Sequence, residues 1–321
     1  MKAVLEKIGK IGIVPVVVID DAEKAVPLAR ALEEGGLLCA EITFRTARAL
    51  EALQRIHREM PDFLIGAGTV LSVQQADEAI SAGASFIVSP GFNPLVVKHC
   101  IDKGVPVVPG CATPSDMEKA LELGLETVKF FPAEQAGGLA YLKAVSAPYT
   151  SLTFIPTGGI DTTNLPGYAT FDKVLACGGS WMANKAFIQA GDFDRVKKSC
   201  RDAVSVLLGL SMVHIGVNTN NDSKSAAKFF AEAFDFSLRE TSASIFASES
   251  IELMNNTGKG THGHIAIGAN NVERAKFHLE NRGVAFDETT AKYNDRGKLI
   301  FIYLKEEIAG FAVHLTVKAS S

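Results

Sequence analysis

No stretch of these 321 residues stays apolar for the ~18 positions that a membrane-spanning helix requires. The opening segment, MKAVLEKIGK, carries charges where a secretory signal would need an apolar core, so a cytoplasmic protein is expected. Cysteine is scarce: Cys39, Cys100, Cys111, Cys177 and Cys200 are odd in number, form no C-x-x-C pair and all precede residue 210. That argues against a disulfide framework and points to reduced thiols in a core. Charge of one sign is lacking too. Lys and Arg total 32 against 36 Asp and Glu, and from Ser211 onward the count is 12 against 13, leaving 20 against 23 before it. Neither part is a polycation, so neither nucleic acid nor membrane is expected as a partner. A Pro- or Gly-rich linker is also missing, although the chain is longer than one core usually serves.

What is present is rhythm. IGIVPVVVI, LLCAEITF, FLIGAG, SFIVSP, PVVPG, TVKFFP, TFIPTGG and KVLACGG are short apolar runs, separated by amphipathic segments rich in Ala and Glu. Gly35-Gly36, Gly83 and Gly104 close helices, and Thr113-Pro114-Ser115-Asp116 opens one. Strands apolar on both faces belong to a parallel sheet. Eight βα units in residues 1–210 is the size of a (β/α)8 TIM barrel, closed by the amphipathic stretch from Phe193 to Leu210. A doubly wound open sheet would give the same pattern.

After Leu210 the rhythm changes. His214-Ile215-Gly216-Val217 and Asn220-Asn221 recur fifty residues on as His264-Ile265-Ala266-Ile267 and Asn270-Asn271, each followed by a helical stretch containing Ala-Lys-Phe. Residues 211–321 are therefore expected to duplicate one βαβββ unit, making a smaller α+β domain. Its strands are SLRE, ASIFAS and SIELMN in the first copy. In the second they are a poorly patterned segment, then KLIFIYLK and GFAVHLTVK.

In a TIM barrel the site lies at the carboxyl ends of the strands. At the second strand, Glu41, Thr43 and Arg45 alternate with Ile42 and Phe44, which would put an acid and a base on one face. An internal ion pair between them explains the same pattern. At the sixth strand Lys129 lies between apolar neighbours. Burial there would free the neutral amine that attacks a ketone, whereas a lysine snorkelling to the rim would be inert. Two glycine pairs, Gly158-Gly159 after the seventh strand and Gly178-Gly179 after the eighth, suit the recurrent phosphate site of such barrels, although a lone Gly-Gly is commonly only a turn. Thr69, after the third strand, either offers a hydroxyl to substrate or belongs to a plain strand-to-helix turn.

Seven motifs, in order, carry a resemblance: Glu41-Ile42-Thr43-Phe44-Arg45-Thr46, Gly66-Ala67-Gly68-Thr69-Val70, Ser89-Pro90-Gly91, Val108-Pro109-Gly110, Lys129-Phe130-Phe131-Pro132-Ala133-Glu134, Pro156-Thr157-Gly158-Gly159-Ile160 and Gly178-Gly179-Ser180-Trp181. Residues 1–210 thus resemble the 2-keto-3-deoxy-6-phosphogluconate (KDPG) aldolase family, which are class I aldehyde-lyases. The resemblance implies that Lys129 is the Schiff-base lysine and Glu41 the general acid/base. It implies that Arg45 and Thr69 bind the substrate carboxylate, and that Gly158, Gly159, Gly179 and Ser180 bind its phosphate. Pro90, Phe131 and Thr157 join them as substrate-binding residues. It further implies a phosphorylated keto acid and pyruvate as partners, no cofactor beyond the covalent imine, and a homotrimer formed through the barrel. Cleavage of 4-hydroxy-2-oxoglutarate or of the 6-phosphogalactonate epimer would use the same residues, and a sensor of sugar phosphates is the non-enzymatic alternative.

In the tail, His214, Glu252, His264 and His314 each sit between neighbours that are apolar or glycine, so strand parity turns all four to one face. His214 matches His264 on the first strand of each copy, and Glu252 matches His314 on the last. Residues 212–318 resemble the vicinal oxygen chelate superfamily, the glyoxalases and their dioxygenase relatives, whose paired units hold a divalent metal at four such positions. Three imidazoles favour Zn, Ni, Co or Fe. The fourth ligand in that superfamily is commonly a carboxylate and here is His314. A packing or assembly module without metal is the other reading.

Overall fold

The structure of the chain, a computed structural model, describes residues 1–318. It divides into two compact units, Met1–Leu207 and Leu208–Ser321. The sequence places the boundary near Leu210. The last helix of the first unit, Phe193–Leu208, is followed after only two residues by the strand that begins at Ser211, which is why no linker composition marks it.

Each of the eight apolar runs of the first unit contains a strand. They are β1 (Ile13–Val17), β2 (Cys39–Thr43), β3 (Leu64–Gly68), β4 (Phe86–Val88), β5 (Val107–Val108), β6 (Thr127–Phe130), β7 (Thr153–Pro156) and β8 (Cys177–Gly179). β2 and β3 are buried at every position, as strands covered on both faces must be. Parallel pairing runs in the order β5-β4-β3-β2-β1-β8, with β6 and β7 as a separate parallel pair. Isolated parallel bridges, Gly110 to Lys129 and Thr157 to Gly178, connect that pair to β5 on one side and β8 on the other. The result is a barrel-like parallel sheet with helices between its strands. The helix Pro114–Glu122 shows how the sequence punctuates them: the Thr113 hydroxyl accepts from the Asp116 N–H, and the Asp116 carboxylate accepts from the Thr113 N–H. All five cysteines are buried thiols.

The second unit is a single eight-stranded sheet in the order β10-β11-β12-β9-β13-β16-β15-β14. Its strands are β9 (Ser211–Asn218), β10 (Leu238–Glu240), β11 (Ser244–Ala247), β12 (Ile251–Met254), β13 (Gly263–Ala269), β14 (Phe286–Tyr293), β15 (Leu299–Ile308) and β16 (Phe311–Val317). Helices Ser223–Phe234 and Val272–Glu280 follow β9 and β13. β14 is the segment with no readable pattern. It is an edge strand with two register shifts against β15 and little buried surface, so nothing selects strict alternation there. No helix among the described residues is long and apolar enough to cross a membrane.

Close packing of β3 on β4 rests on a glycine. A methyl on Gly66 would stand 2.3 Å from the ring of Phe86, which is fully enclosed. Gly66→Ala should therefore lower the stability of the first unit by about 1–3 kcal/mol, read from the denaturant midpoint of its unfolding transition. An unchanged midpoint would contradict this packing.

Candidate active site

Two strands bring the ionisable core of the site together from 88 positions apart. Glu41 stands in β2, paired with Val16 of β1 and Gly66 of β3. Lys129 stands in β6, its N–H donating to the Pro109 carbonyl and its own carbonyl accepting from Cys111 N–H. The two side chains meet with Lys129 Nζ 3.3 Å from Glu41 Oε1 and 3.5 Å from Oε2. Their side chains are only 8% and 4% exposed, so Lys129 does not snorkel to the rim. Room for Glu41 comes from β3: a methyl on Gly68 would lie 2.0 Å from Glu41 Oε1. The Lys129 ammonium also sits 5.4 Å from the centre of the Phe131 ring, which walls one side.

The ion pair considered for Glu41 and Arg45 is not formed, because the alternation on which it depends stops early. β2 ends at Thr43, and the chain turns there, with Arg45 N–H donating to the Thr43 carbonyl. The Thr43 hydroxyl donates to the Val17 carbonyl, bracing β1 against β2. Arg45 is exposed and its Nε donates to Thr69 Oγ1 at 3.2 Å. Thr69 adopts φ 58, a left-handed backbone that a threonine holds only under constraint. Because Thr69 follows Gly68, this Arg45–Thr69 pair adjoins Glu41.

The opposite wall is built from the loops after β6, β7 and β8. Ala133 and Glu134 N–H groups donate to the Thr157 and Gly158 carbonyls, stitching the first two loops together. Gly158 and Gly159 have φ 100 and 78, left-handed backbone that glycine adopts without strain. Thr157 is buried and bridged to Gly178. Gly179 lies under the Trp181 ring, where a methyl would approach a ring carbon to 1.8 Å. Ser180 is exposed beyond it. Pro90, after β4, packs on Gly110, its carbonyl so near that a methyl there would stand 2.0 Å away.

Sequence reasoning missed Glu134 and Tyr168. The Tyr168 hydroxyl donates to Glu134 Oε1 beside Gly138, and burial, with that carboxylate beside it, pushes the phenol well above its ordinary range. Glu134 was visible as a carboxylate inside the Lys129 motif. Its partner, 34 residues on, was not. Trp181 Nε1 is buried with no acceptor among the described residues, a donor at the edge of the Gly179-Ser180 loop.

In the second unit the four residues selected by parity converge. Cross-strand register pairs Glu252 with Gly216, Gly216 with His264, and Ala266 with both His214 and His314, so all share one face. His214 Nε2 and His264 Nε2 are 3.1 Å apart, and Glu252 Oε2 lies 3.2 and 3.1 Å from them. Atoms that share one ion at about 2.0–2.2 Å stand roughly 3–3.4 Å from each other, so these three have the spacing of neighbouring ligands. The ligand nitrogens of His214, His264 and His314 all lie within 4.8 Å of one another. The Nδ1 of His314 is buried without a partner among the described residues, and burial pushes this imidazole down to about 4, keeping it neutral and able to ligate. Burial would raise the Glu252 carboxyl. Hydrogen bonds from His214, His264 and the Ser244 hydroxyl outweigh it and hold the group well below the carboxylate range. Gly216 makes the space: a methyl there would meet the His264 ring at 2.1 Å. The donor set fits a divalent transition metal.

Residues 4–199 match the family described as KDPG and KHG aldolase. The 2-dehydro-3-deoxy-phosphogluconate aldolase of Treponema pallidum (strain Nichols) is 50% identical over 207 residues, covering 64% of this chain and 99% of that protein. The KHG/KDPG aldolase of Escherichia coli (strain K12) is 42% identical over 192 residues, or 60% of this chain and 90% of that protein. Among solved structures, a KDPG aldolase from Legionella pneumophila, with pyruvate captured at low pH as a covalent carbinolamine intermediate, is 36% identical with a TM-score of 0.61. It covers 62% of this chain and 97% of that one.

The enclosed contact between Lys129 and Glu41 is testable by a double-mutant cycle. Lys129→Met and Glu41→Leu should each cost about 3–5 kcal/mol, because each strands the other charge, and the double variant should cost less than their sum. Strict additivity in urea denaturation would contradict the contact.

Proposed function

The chain belongs to the KDPG and KHG aldolase family, and on that premise we propose that its first unit cleaves 2-keto-3-deoxy-6-phosphogluconate to pyruvate and glyceraldehyde 3-phosphate through an imine on Lys129. The observation that carries this is the buried approach of Lys129 Nζ, on β6, to both oxygens of Glu41, on β2. A sensor of sugar phosphates has no use for an enclosed amine facing a carboxylate. Cleavage of 4-hydroxy-2-oxoglutarate is a second activity of the same residues, favoured by the likeness to the Escherichia coli enzyme whose name carries both substrates.

The proposed chemistry runs in a fixed sequence. The neutral amine of Lys129 attacks the C2 ketone, and Glu41 supplies the proton with which water leaves. The protonated imine then draws the electron pair of the C3–C4 bond, while Glu41 takes the proton of the C4 hydroxyl. Glyceraldehyde 3-phosphate departs, the enamine is reprotonated at C3, and hydrolysis returns Lys129 and releases pyruvate. Arg45 and Thr69, held to each other beside Glu41, receive the substrate carboxylate. Pro90, Phe131 and Thr157 line the space between, and the amides of Gly158, Gly159 and Gly179 with the Ser180 hydroxyl receive the phosphate. We read the eight strands, with their two bridging contacts, as a closed (β/α)8 barrel. A homotrimer formed through it, working in the cytoplasm, is the setting that the family resemblance supports.

For the second unit the reading is two βαβββ copies of the vicinal oxygen chelate type, with His214, Glu252, His264 and His314 holding a divalent metal. The three-imidazole, one-carboxylate donor set and the unpartnered His314 Nδ1 support it. Bound there, such an ion supplies Lewis acidity and favours Zn, Ni, Co or Fe over Mg or Ca.

The purified chain should release pyruvate from KDPG, and Lys129→Ala should abolish the release. Glu41→Gln should slow cleavage by about 10²-fold or more per folded molecule, since an amide cannot shuttle protons. An unchanged rate in Glu41→Gln would remove Glu41 from the chemistry. The chain purified without an affinity tag should carry about one divalent ion, by elemental analysis, and His264→Ala should lose it. Equal and substoichiometric metal in both would leave the second unit a packing module.

A further inference from the structure

One residue beside the Gly158-Gly159 turn holds both ends of the segment that follows β7. The Glu134 N–H donates to the Gly158 carbonyl at 3.1 Å, where that segment begins. The Glu134 carboxylate accepts from the hydroxyl of Tyr168, in the helix Leu165–Ala169 where the segment ends. Between these two anchors the Gly159 carbonyl accepts from Asn164 Nδ2 at 2.9 Å, and Asn164 Oδ1 accepts from the Asp161 N–H at 3.0 Å. The stem of Glu134 packs directly on the turn: a methyl on Gly159 would stand 2.7 Å from its Cβ and 2.8 Å from its Cγ.

The fold alone does not ask for this pair. Tyr168 is only 1% exposed, and a phenylalanine would fill the same space without burying a hydroxyl that then needs an acceptor. The link from Glu134 to Gly158 is made by the backbone, which any residue except proline supplies. Two apolar side chains of similar shape could replace the buried hydrogen bond at little cost to stability. What the hydrogen bond does supply is position. Peptide N–H groups that hold an anion have no rotamer of their own to adjust, so their directions are set by whatever fixes the peptide planes around them. Burial and the adjacent carboxylate keep the Tyr168 phenol protonated, so it remains a donor to Glu134.

We infer that Glu134 and Tyr168 are positioning residues for the phosphate end of the substrate. Glu134 clamps both ends of the segment 158–168, so that the Gly158-Gly159 turn is already shaped for a phosphoryl group, and the clamp sets the preference for phosphorylated over phosphate-free keto acids. The inference rests on the reading of Gly158, Gly159, Gly179 and Ser180 as the phosphate site and adds to it the two side chains that hold it in shape. The phosphate is remote from the bond that breaks, and neither Lys129 nor Glu41 takes part in the clamp. Loosening it therefore removes binding energy that only the phosphorylated substrate can use.

The test measures kcat/KM of the full chain for KDPG and for 2-keto-3-deoxygluconate, the same molecule without its phosphate. Tyr168→Phe and Glu134→Ala should each lower kcat/KM for KDPG by about tenfold or more and leave that for 2-keto-3-deoxygluconate within about twofold of the parent. Glu134→Gln, whose amide oxygen still accepts from the Tyr168 hydroxyl, should recover most of the loss. Trapping of pyruvate on Lys129 by borohydride needs no phosphate and should match the parent in all three variants. Equal losses with both substrates, a Tyr168→Phe chain that keeps the parental preference, or a Glu134→Gln chain as impaired as Glu134→Ala would overturn the clamp while leaving the phosphate site in place. A parent chain that shows no preference for KDPG over its phosphate-free form would overturn the phosphate reading itself, and the clamp with it.

Discussion

The first unit is arranged around one constraint, that a lysine and a glutamate from strands 88 positions apart must meet inside a nearly closed site. Neither side chain has water to spare, so each needs the other, and the chain around them is shaped to allow it. Gly68 gives up its side chain because any carbon there would collide with Glu41 Oε1. Lys129 is fixed at its backbone by Pro109 and Cys111, which leaves the long side chain as the only adjustable part. In the proposed mechanism the same enclosure that makes the contact costly to break holds the amine where a substrate carbonyl would meet it.

The parallel strands of the first unit were legible because burial on both faces leaves an apolar run in the sequence, and each of the eight runs contains a strand. Of the candidate site, Lys129 and Glu41 were readable as ionisable residues set among apolar neighbours in their own strands, and the structure brings those two together. Arg45 was misplaced by treating β2 as two residues longer than it is; the turn after Thr43 delivers it to Thr69 instead. Glu134 and Tyr168 were not legible as a pair, because their hydrogen bond joins the loop after β6 to the short helix Leu165–Ala169, and nothing local connects the two. The function of Gly68 was hidden for the same reason: a missing side chain does not announce which distant group needs the room.

In the second unit the repeat was the informative signal, because it fixed the parity of two strands against each other before any pairing was known. His214 and His264, fifty residues apart, meet through their Nε2 atoms at 3.1 Å. Edge strand β14 left no pattern, since exposure on both faces removes the alternation that sequence reading depends on. Where the superfamily resemblance leads one to expect a second carboxylate, the chain has His314, and its neutral buried ring is what makes the donor set imidazole-rich.

Sodium borohydride added with pyruvate measures the central claim most directly, since hydride converts an imine into a permanent secondary amine that peptide mass spectrometry can locate. The account predicts one reduced pyruvate adduct per chain, on Lys129, and none in Lys129→Ala. An adduct on a different lysine, or no adduct in a chain that still cleaves substrate, would contradict it.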